Sequence, residues 1–321
     1  MIPEKIHAPL ILCVIAGMVV FLFSAQAMGF ASHQRTEISQ SRYNEFSHNM
    51  LHYREGDSPD DVTVVFLHGF GENLRTWEPL LGYWEGEEHI LLVDLPGQGR
   101  SRPARMENYS HRNQARLLGE FISEKGREKA VLVGHSMGAN LALRIALSMP
   151  EMVVGIVLLS PAVYTARGIP FARFLVDFPF TRVVASTLVR RLVRSPGKLA
   201  DILRESVYDP GIVDEDMVER LINPLVDNPR SRLALLYLFR DSGRNHVLPD
   251  FSLLDMPVLI IQGADDPLVP LQHAESLQNI VPDADLVILK RCGHLPHEEK
   301  PHRVAQELNQ FLRKLDAQRV E

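Results

Sequence analysis

Val131-Leu132-Val133-Gly134-His135-Ser136-Met137-Gly138-Ala139-Asn140 is the stretch whose reading decides the fold. An apolar run of strand type stops at Gly134 and Ser136 follows. Helical spacing then begins (Leu141, Ala142, Ile145, Ala146, Met149), and Pro150 closes it. Strand, tight turn and helix with a serine at the turn is the context a G-x-S-x-G elbow requires. So sharp a turn strains the serine backbone, and side chains two residues to either side would collide with the neighbouring strand and helix, which accounts for Gly134 and Gly138. The helix that starts after Ser136 also aims backbone N–H groups at any negative charge forming beside the hydroxyl.

Around this stretch the chain alternates. Tyr43 to Arg54 reads as an opening hairpin strand, and Val62 to Leu67, Ile90 to Val93 and Val153 to Leu159 read as buried parallel strands. Helices are expected around Trp77 to Leu81 and from Ser110 to Lys125. From Tyr164 to Pro249 only helical patterning remains. The strand–helix rhythm then resumes with Pro257 to Gln262, Gln272 to Asn279, Asp285 to Leu289 and a closing helix over His302 to Leu315. The expected fold class is an α/β fold with a mostly parallel central sheet flanked by helices, and a helical cap inserted over its mouth. The domain reading is a core of residues 43–163 and 250–321, a cap of residues 164–249 and a polar linker of residues 32–42.

The chain has 321 residues, an apolar fraction of 45% and a net charge of -6, which makes no electrostatic case for a nucleic-acid partner. Its two cysteines, Cys13 and Cys292, support neither a disulfide framework nor a zinc site, and Cys292 reads as a small core residue. Ala8 to Ala31 carries no charge, and an apolar helix of roughly 20 residues spans a bilayer. Residues 1–31 are therefore read as a single N-terminal membrane anchor. A cleavable signal peptide ending near Ala25-Gln26-Ala27 is the rival, and would leave the chain exported.

A serine hydroxyl needs a base to take its proton. Of 13 histidines, His294 in Gly293-His294-Leu295-Pro296 directly follows the last strand, where loops reach the carboxyl edge of a parallel sheet. His297 and His302 compete locally, and His297 could instead cap the closing helix. The base in turn needs a carboxylate to fix its tautomer. Gly263-Ala264-Asp265-Asp266-Pro267 offers two, each of which could equally cap a helix. The chain order serine, aspartate, histidine is that of the α/β-hydrolase elbow.

The chain resembles the α/β-hydrolase fold superfamily, in the serine-hydrolase branch with a helical cap. The resemblance is carried by His68-Gly69-Phe70-Gly71, Asp94 to Ser101, Gly134 to Gly138, Gly263 to Pro270, and Gly293 to Pro296 with Glu299 and Pro301 behind it. It covers Tyr43 to Leu315. It implies Ser136 as nucleophile, His294 as base, Asp266 rather than Asp265 as the acid, and the backbone amides of Phe70 and Met137 as oxyanion donors. A serine at position 136 separates the chain from the epoxide hydrolases and haloalkane dehalogenases of this fold. Phe70-Gly71-Glu72 separates it from the proline iminopeptidases.

The activity the resemblance implies is carboxylic-ester hydrolysis, of esterase or lipase type. Carbon–carbon bond hydrolysis of the ring-cleavage-product type, thioester hydrolysis and cofactor-free haloperoxidation share the same motifs. A catalytically silent ligand-binding protein of the same fold is the non-enzyme reading. No cofactor and no metal are expected. The aromatic start of the cap, with Phe171, Phe174 and Phe178, is expected to collect an apolar acyl substrate. Its arginines give the cap a possible second contact with a membrane besides the N-terminal segment. Nothing in the sequence sets the oligomeric state.

Overall fold

The computed structural model describes residues 38–320 apart from 39, 47–48, 57, 59, 103–108, 127, 165–183, 185–186, 188–190, 192–196, 228 and 243–247. The opening segment forms a hairpin of β1 (Arg42–Phe46) and β2 (Asn49–Gly56), antiparallel with Asn44 opposite Leu51. There follow β3 (Val62–Leu67), β4 (His89–Val93), β5 (Lys129–His135), β6 (Val153–Leu159), β7 (Val258–Gly263) and β8 (Ala284–Leu289). They make one eight-stranded sheet in the order β1-β2-β4-β3-β5-β6-β7-β8. The pairs from β4 through β8 are parallel, and the hairpin joins antiparallel through β2 and β4.

Every residue of β3 and β4 is buried, as continuous apolar runs covered on both faces should be. Alternate residues feed two cores. Val65, Leu67, Leu91 and Leu132 pack beneath α2 (His111–Lys125) and α3 (Met137–Ser148); α1 (Glu78–Leu81) precedes these helices in the chain. Val64, Phe66, Leu92 and Val133 pack on the other face with Trp77, Leu80, Leu308 and Phe311.

Between β6 and β7 the described residues include α4 (Gly197–Ser206), α5 (Glu215–Asp227) and α6 (Pro229–Ser242). They bring a small apolar cluster of their own, in which Val207, Val213, Met217 and Leu221 meet Leu295 beside the histidine loop. After β7 come α7 (Leu271–Ile280), α8 (Pro296–Glu299) and α9 (Pro301–Val320).

The closing helix is found where expected, as α9 over Pro301–Val320; the short α8 before it stops at Lys300 (φ -139°, ψ 52°), because Pro301 disfavours helical backbone at the residue before it. Two other expectations need correction. His297 caps nothing. It lies inside α8, which starts from Leu295 with no side-chain cap, and its ring is fully buried. The single N-terminal membrane anchor is not supported either: among the described residues no helix is long and apolar enough to cross a membrane. Membrane association is likewise unsupported, and Ala8 to Ala31 lies outside the described residues.

Candidate active site

β5 lies at the centre of the sheet and ends at His135, so the turn into α3 presents Ser136 at the carboxyl edge. Ser136 takes φ 49°, ψ -109°, a region L-residues rarely occupy and one that costs about 1–3 kcal/mol. The surroundings hold it there. Its N–H donates to the Leu159 carbonyl (2.9 Å), and its carbonyl accepts from the Ala162 amide (3.2 Å). The flanking glycines are sterically required: a Cβ on Gly134 would lie 2.6 Å from the Ala139 backbone, and one on Gly138 2.0 Å from the Leu67 carbonyl oxygen.

The loop after β8 delivers His294. Its Nε2 lies 3.0 Å from Ser136 Oγ, and its Nδ1 lies 2.8 Å from Asp266 Oδ2. Asp266, on the loop after β7, uses its other oxygen to accept the Leu268 and Val269 amides, both at 2.8 Å. One carboxylate thus closes the turn and faces the imidazole, while Gln262 Nε2 donates to Oδ2 at 3.0 Å. Burial alone would raise the carboxyl pKa of Asp266, but His294 and the two loop amides outweigh it and hold it below the ordinary value. An ionised Asp266 accepts a hydrogen bond from the Nδ1–H, which leaves the Nε2 lone pair turned to the hydroxyl. Asp265 is exposed and stands apart from this chain of contacts.

The two amides expected as oxyanion donors belong to Met137 and Phe70. Met137 is the first residue of α3, where a helix has no internal acceptor for its N–H groups. Phe70 sits in the turn after β3. The Gly69 amide before it donates to Glu72 (2.8 Å) and the Gly71 amide after it to Gln98 (2.6 Å). The Phe70 side chain is exposed and that of Met137 is buried. Phe171, Phe174 and Phe178 lie outside the described residues.

The histidine loop is held by contacts absent from the sequence reading. Both oxygens of Glu299 accept the Gly293 amide at 2.9 Å, one accepts Leu295 and the other accepts Tyr208. The His294 amide itself donates to the Ser206 carbonyl at 2.7 Å, so the end of α4 is tied directly to His294. The His294 carbonyl faces His135 Nε2 at 2.8 Å, and His135 Nδ1 faces Glu72 at 2.9 Å. Glu72 and His135 stand within motifs already singled out, so their positions were visible while their mutual contact was not.

Trp77 and Thr76 enclose His297. Its Nε2 meets Thr76 Oγ1 at 2.8 Å, and the Thr76 hydroxyl donates to Glu298 at 3.1 Å. With that hydroxyl proton committed, His297 Nε2 is the donor; burial pushes the ring's pKa well down and keeps it neutral. Cys292 is fully buried, and burial pushes its thiol up.

A family model described as the alpha/beta hydrolase family matches residues 64–307. The chain is 28% identical over 274 residues to a 2-hydroxy-6-oxononadienedioate/2-hydroxy-6-oxononatrienedioate hydrolase of Paraburkholderia phymatum, covering 82% of this chain and 90% of that one. It is 25% identical over 287 residues to the monoacylglycerol lipase abhd6-B of Xenopus laevis, covering 87% and 83%. Among solved structures, a thermophilic esterase from Thermogutta terrifontis superposes with a TM-score of 0.66 at 22% identity, covering 86% of this chain and 99% of that one.

Proposed function

The chain belongs to the alpha/beta hydrolase family, and from that premise we propose that it is a serine hydrolase of carboxylic esters with an apolar acyl group. Residues 43–163 and 250–321 form its hydrolase core and residues 164–249 its cap. The observation that carries this reading is the run of contacts from Ser136 Oγ through His294 to Asp266, 3.0 and 2.8 Å.

In this reaction His294 Nε2 takes the Ser136 proton as Oγ attacks the ester carbonyl carbon. The carbonyl oxygen becomes an anion between the Phe70 and Met137 amides. Donors aimed at such an oxyanion are worth about 3 kcal/mol each to the transition state. His294 returns the proton to the departing alcohol, leaving an acyl-Ser136. A water molecule, deprotonated by the same Nε2, attacks that acyl group; the acid leaves and Oγ regains its proton. Asp266 stabilises the imidazolium in both halves without itself taking a proton. An exposed aromatic ring at Phe70, on the loop that carries the proposed oxyanion amide, supports an apolar acyl group.

The test is labelling with a fluorophosphonate, together with p-nitrophenyl ester turnover. Wild type is expected to label at Ser136 and turn over, and Ser136→Ala to do neither while melting as a folded protein. Turnover undiminished in the variant overturns the assignment. Hydrolysis of a carbon–carbon bond beside a ketone is the second reading, favoured by the 28% identity to the oxononadienedioate hydrolase. A panel of ester, thioester and vinylogous diketone substrates separates the two.

A further inference from the structure

His135 lies between two acceptors. Its Nε2 is 2.8 Å from the His294 carbonyl oxygen, and its Nδ1 is 2.9 and 3.1 Å from the two oxygens of Glu72. A carbonyl has no hydrogen to give, so Nε2 carries one. On the other side, a bare Nδ1 lone pair against a carboxylate at that distance would be repulsive, so a proton sits there as well. An imidazole holds a shared proton more strongly than a carboxyl group does. The ring is therefore an imidazolium facing a carboxylate, both buried, with side chains 1% and 11% exposed.

We propose that Glu72 and His135 form a buried ion pair that positions the catalytic machinery: Glu72 holds the oxyanion turn through the Gly69 amide, and His135 holds the base through the His294 carbonyl. The proposal rests on the serine-hydrolase reading for what is positioned, not for the pair itself. One carboxylate thereby fixes the spacing between the two halves of the site. The amide and carbonyl of His294 are each spoken for, one by Ser206 and the other by His135.

The other titratable groups around His135 leave it as the cation. The His297 ring, 4.5 Å away between centroids, is kept neutral by burial, which pushes its pKa well down. His68 accepts the Leu95 amide on Nε2 and donates from Nδ1 to the Gly69 carbonyl, which also makes it neutral. The His294 ring stands 4.9 Å away, and the Asp266 charge behind it favours the cation. Burial opposes charge on both partners, yet their attraction prevails: Glu72 is held below the usual carboxylate range and His135 above the usual histidine range. Glu72, His135 and His297 also bring donor atoms within 4.8 Å of one another. A 2.9 Å nitrogen–oxygen contact is nonetheless that of a shared proton, and His297 Nε2 is already spent on Thr76.

The test combines nitrogen-15 NMR of the histidine rings with the pH profile of kcat. In the wild type, His135 is expected to show both ring nitrogens protonated at pH 7, and kcat to fall on the alkaline side as that proton leaves. Glu72→Gln can still accept the Gly69 amide and can donate to a neutral Nδ1, so the fold is kept. Its His135 is expected to be the neutral Nε2–H form, with the alkaline fall gone. The single amide group of His135→Gln cannot span both acceptors; kcat is expected to drop about tenfold with KM changed less than about threefold, the signature of a misplaced base. A neutral His135 in the wild type at pH 7, or the same alkaline fall in Glu72→Gln, overturns the proposal. If Glu72→Gln does not fold, the wild-type ring shifts alone decide. A wild type that neither labels nor turns over would sink the hydrolase reading, while the ring shifts would still report on the pair.

Discussion

Gly138 passes so close to Leu67 that an added Cβ would fall 2.0 Å from the Leu67 carbonyl oxygen. The contact joins the first turn of α3, which carries the Met137 amide, to the end of β3, which leads into the turn that carries the Phe70 amide. Backbone cannot yield as a flexible side chain can. Gly138→Ala is expected to cost about 3 kcal/mol or more, as overpacking between backbones does, and to lower ester turnover in the fraction that folds. Thermal denaturation and an ester assay check both. An unchanged melting temperature would mean that the two elements are free to separate.

Asp266→Asn keeps the shape of the side chain and removes its charge. The amide can donate to His294 Nδ1, which turns the ring to the wrong tautomer; kcat is expected to fall about 10³- to 10⁴-fold with the fold intact. Steady-state kinetics beside a melting curve separate this from unfolding.

Arg220, from α5, forms a two-pronged ion pair with Glu298 of α8, at 2.6 and 3.1 Å, with side chains 7% and 3% exposed. Asn73 reinforces the join by donating to the Arg220 and Leu221 carbonyls. Arg220→Ala leaves a buried carboxylate unpaired and is expected to cost about 3–5 kcal/mol. Changing both residues to Met is expected to recover much of that loss. Urea unfolding of the single and double variants measures it, and a double variant no better than the single would overturn the account.

His111, the first residue of α2, is buried, and burial followed by the Arg144 charge pushes its pKa down to about 4. The unfolded chain takes this proton at the ordinary histidine value. The neutral ring therefore favours folding fully above about pH 6.5, and the advantage is lost as the pH falls toward 4, by about 3 kcal/mol in all. His111→Leu is expected to flatten the dependence of melting temperature on pH across that window.

Cys292 is fully buried, and its thiol is pushed up by burial and then by the Glu299 charge. Iodoacetamide is expected to leave it unmodified in the native protein and to alkylate it in urea, as mass spectrometry would show. Native alkylation would mean that the loop before His294 opens.

The parallel sheet was legible because its strands are unbroken apolar runs, such as Val62 to Leu67, and the elbow because two glycines flank one serine. Loop addresses at strand ends narrowed the proposed triad, and the family resemblance chose Asp266 over Asp265. What could not be read were contacts between distant loops. Glu72 and His135 are 63 residues apart and each has a local explanation, so nothing in the chain links them. An uncharged N-terminal run carries a hydropathy signal and no information on packing, and the anchor drawn from it did not stand.

Ser136 and His294 are separated by 158 residues, and β6, α4 to α6, β7 and β8 all lie between them. During synthesis the hydroxyl emerges long before the imidazole that would activate it. A chain arrested before β8 lacks the loop that carries His294. On the serine-hydrolase reading, reactivity at Ser136 therefore reports completed assembly: a serine-directed probe applied to nascent chains of increasing length should stay silent until the last loop has left the ribosome and closed on the sheet.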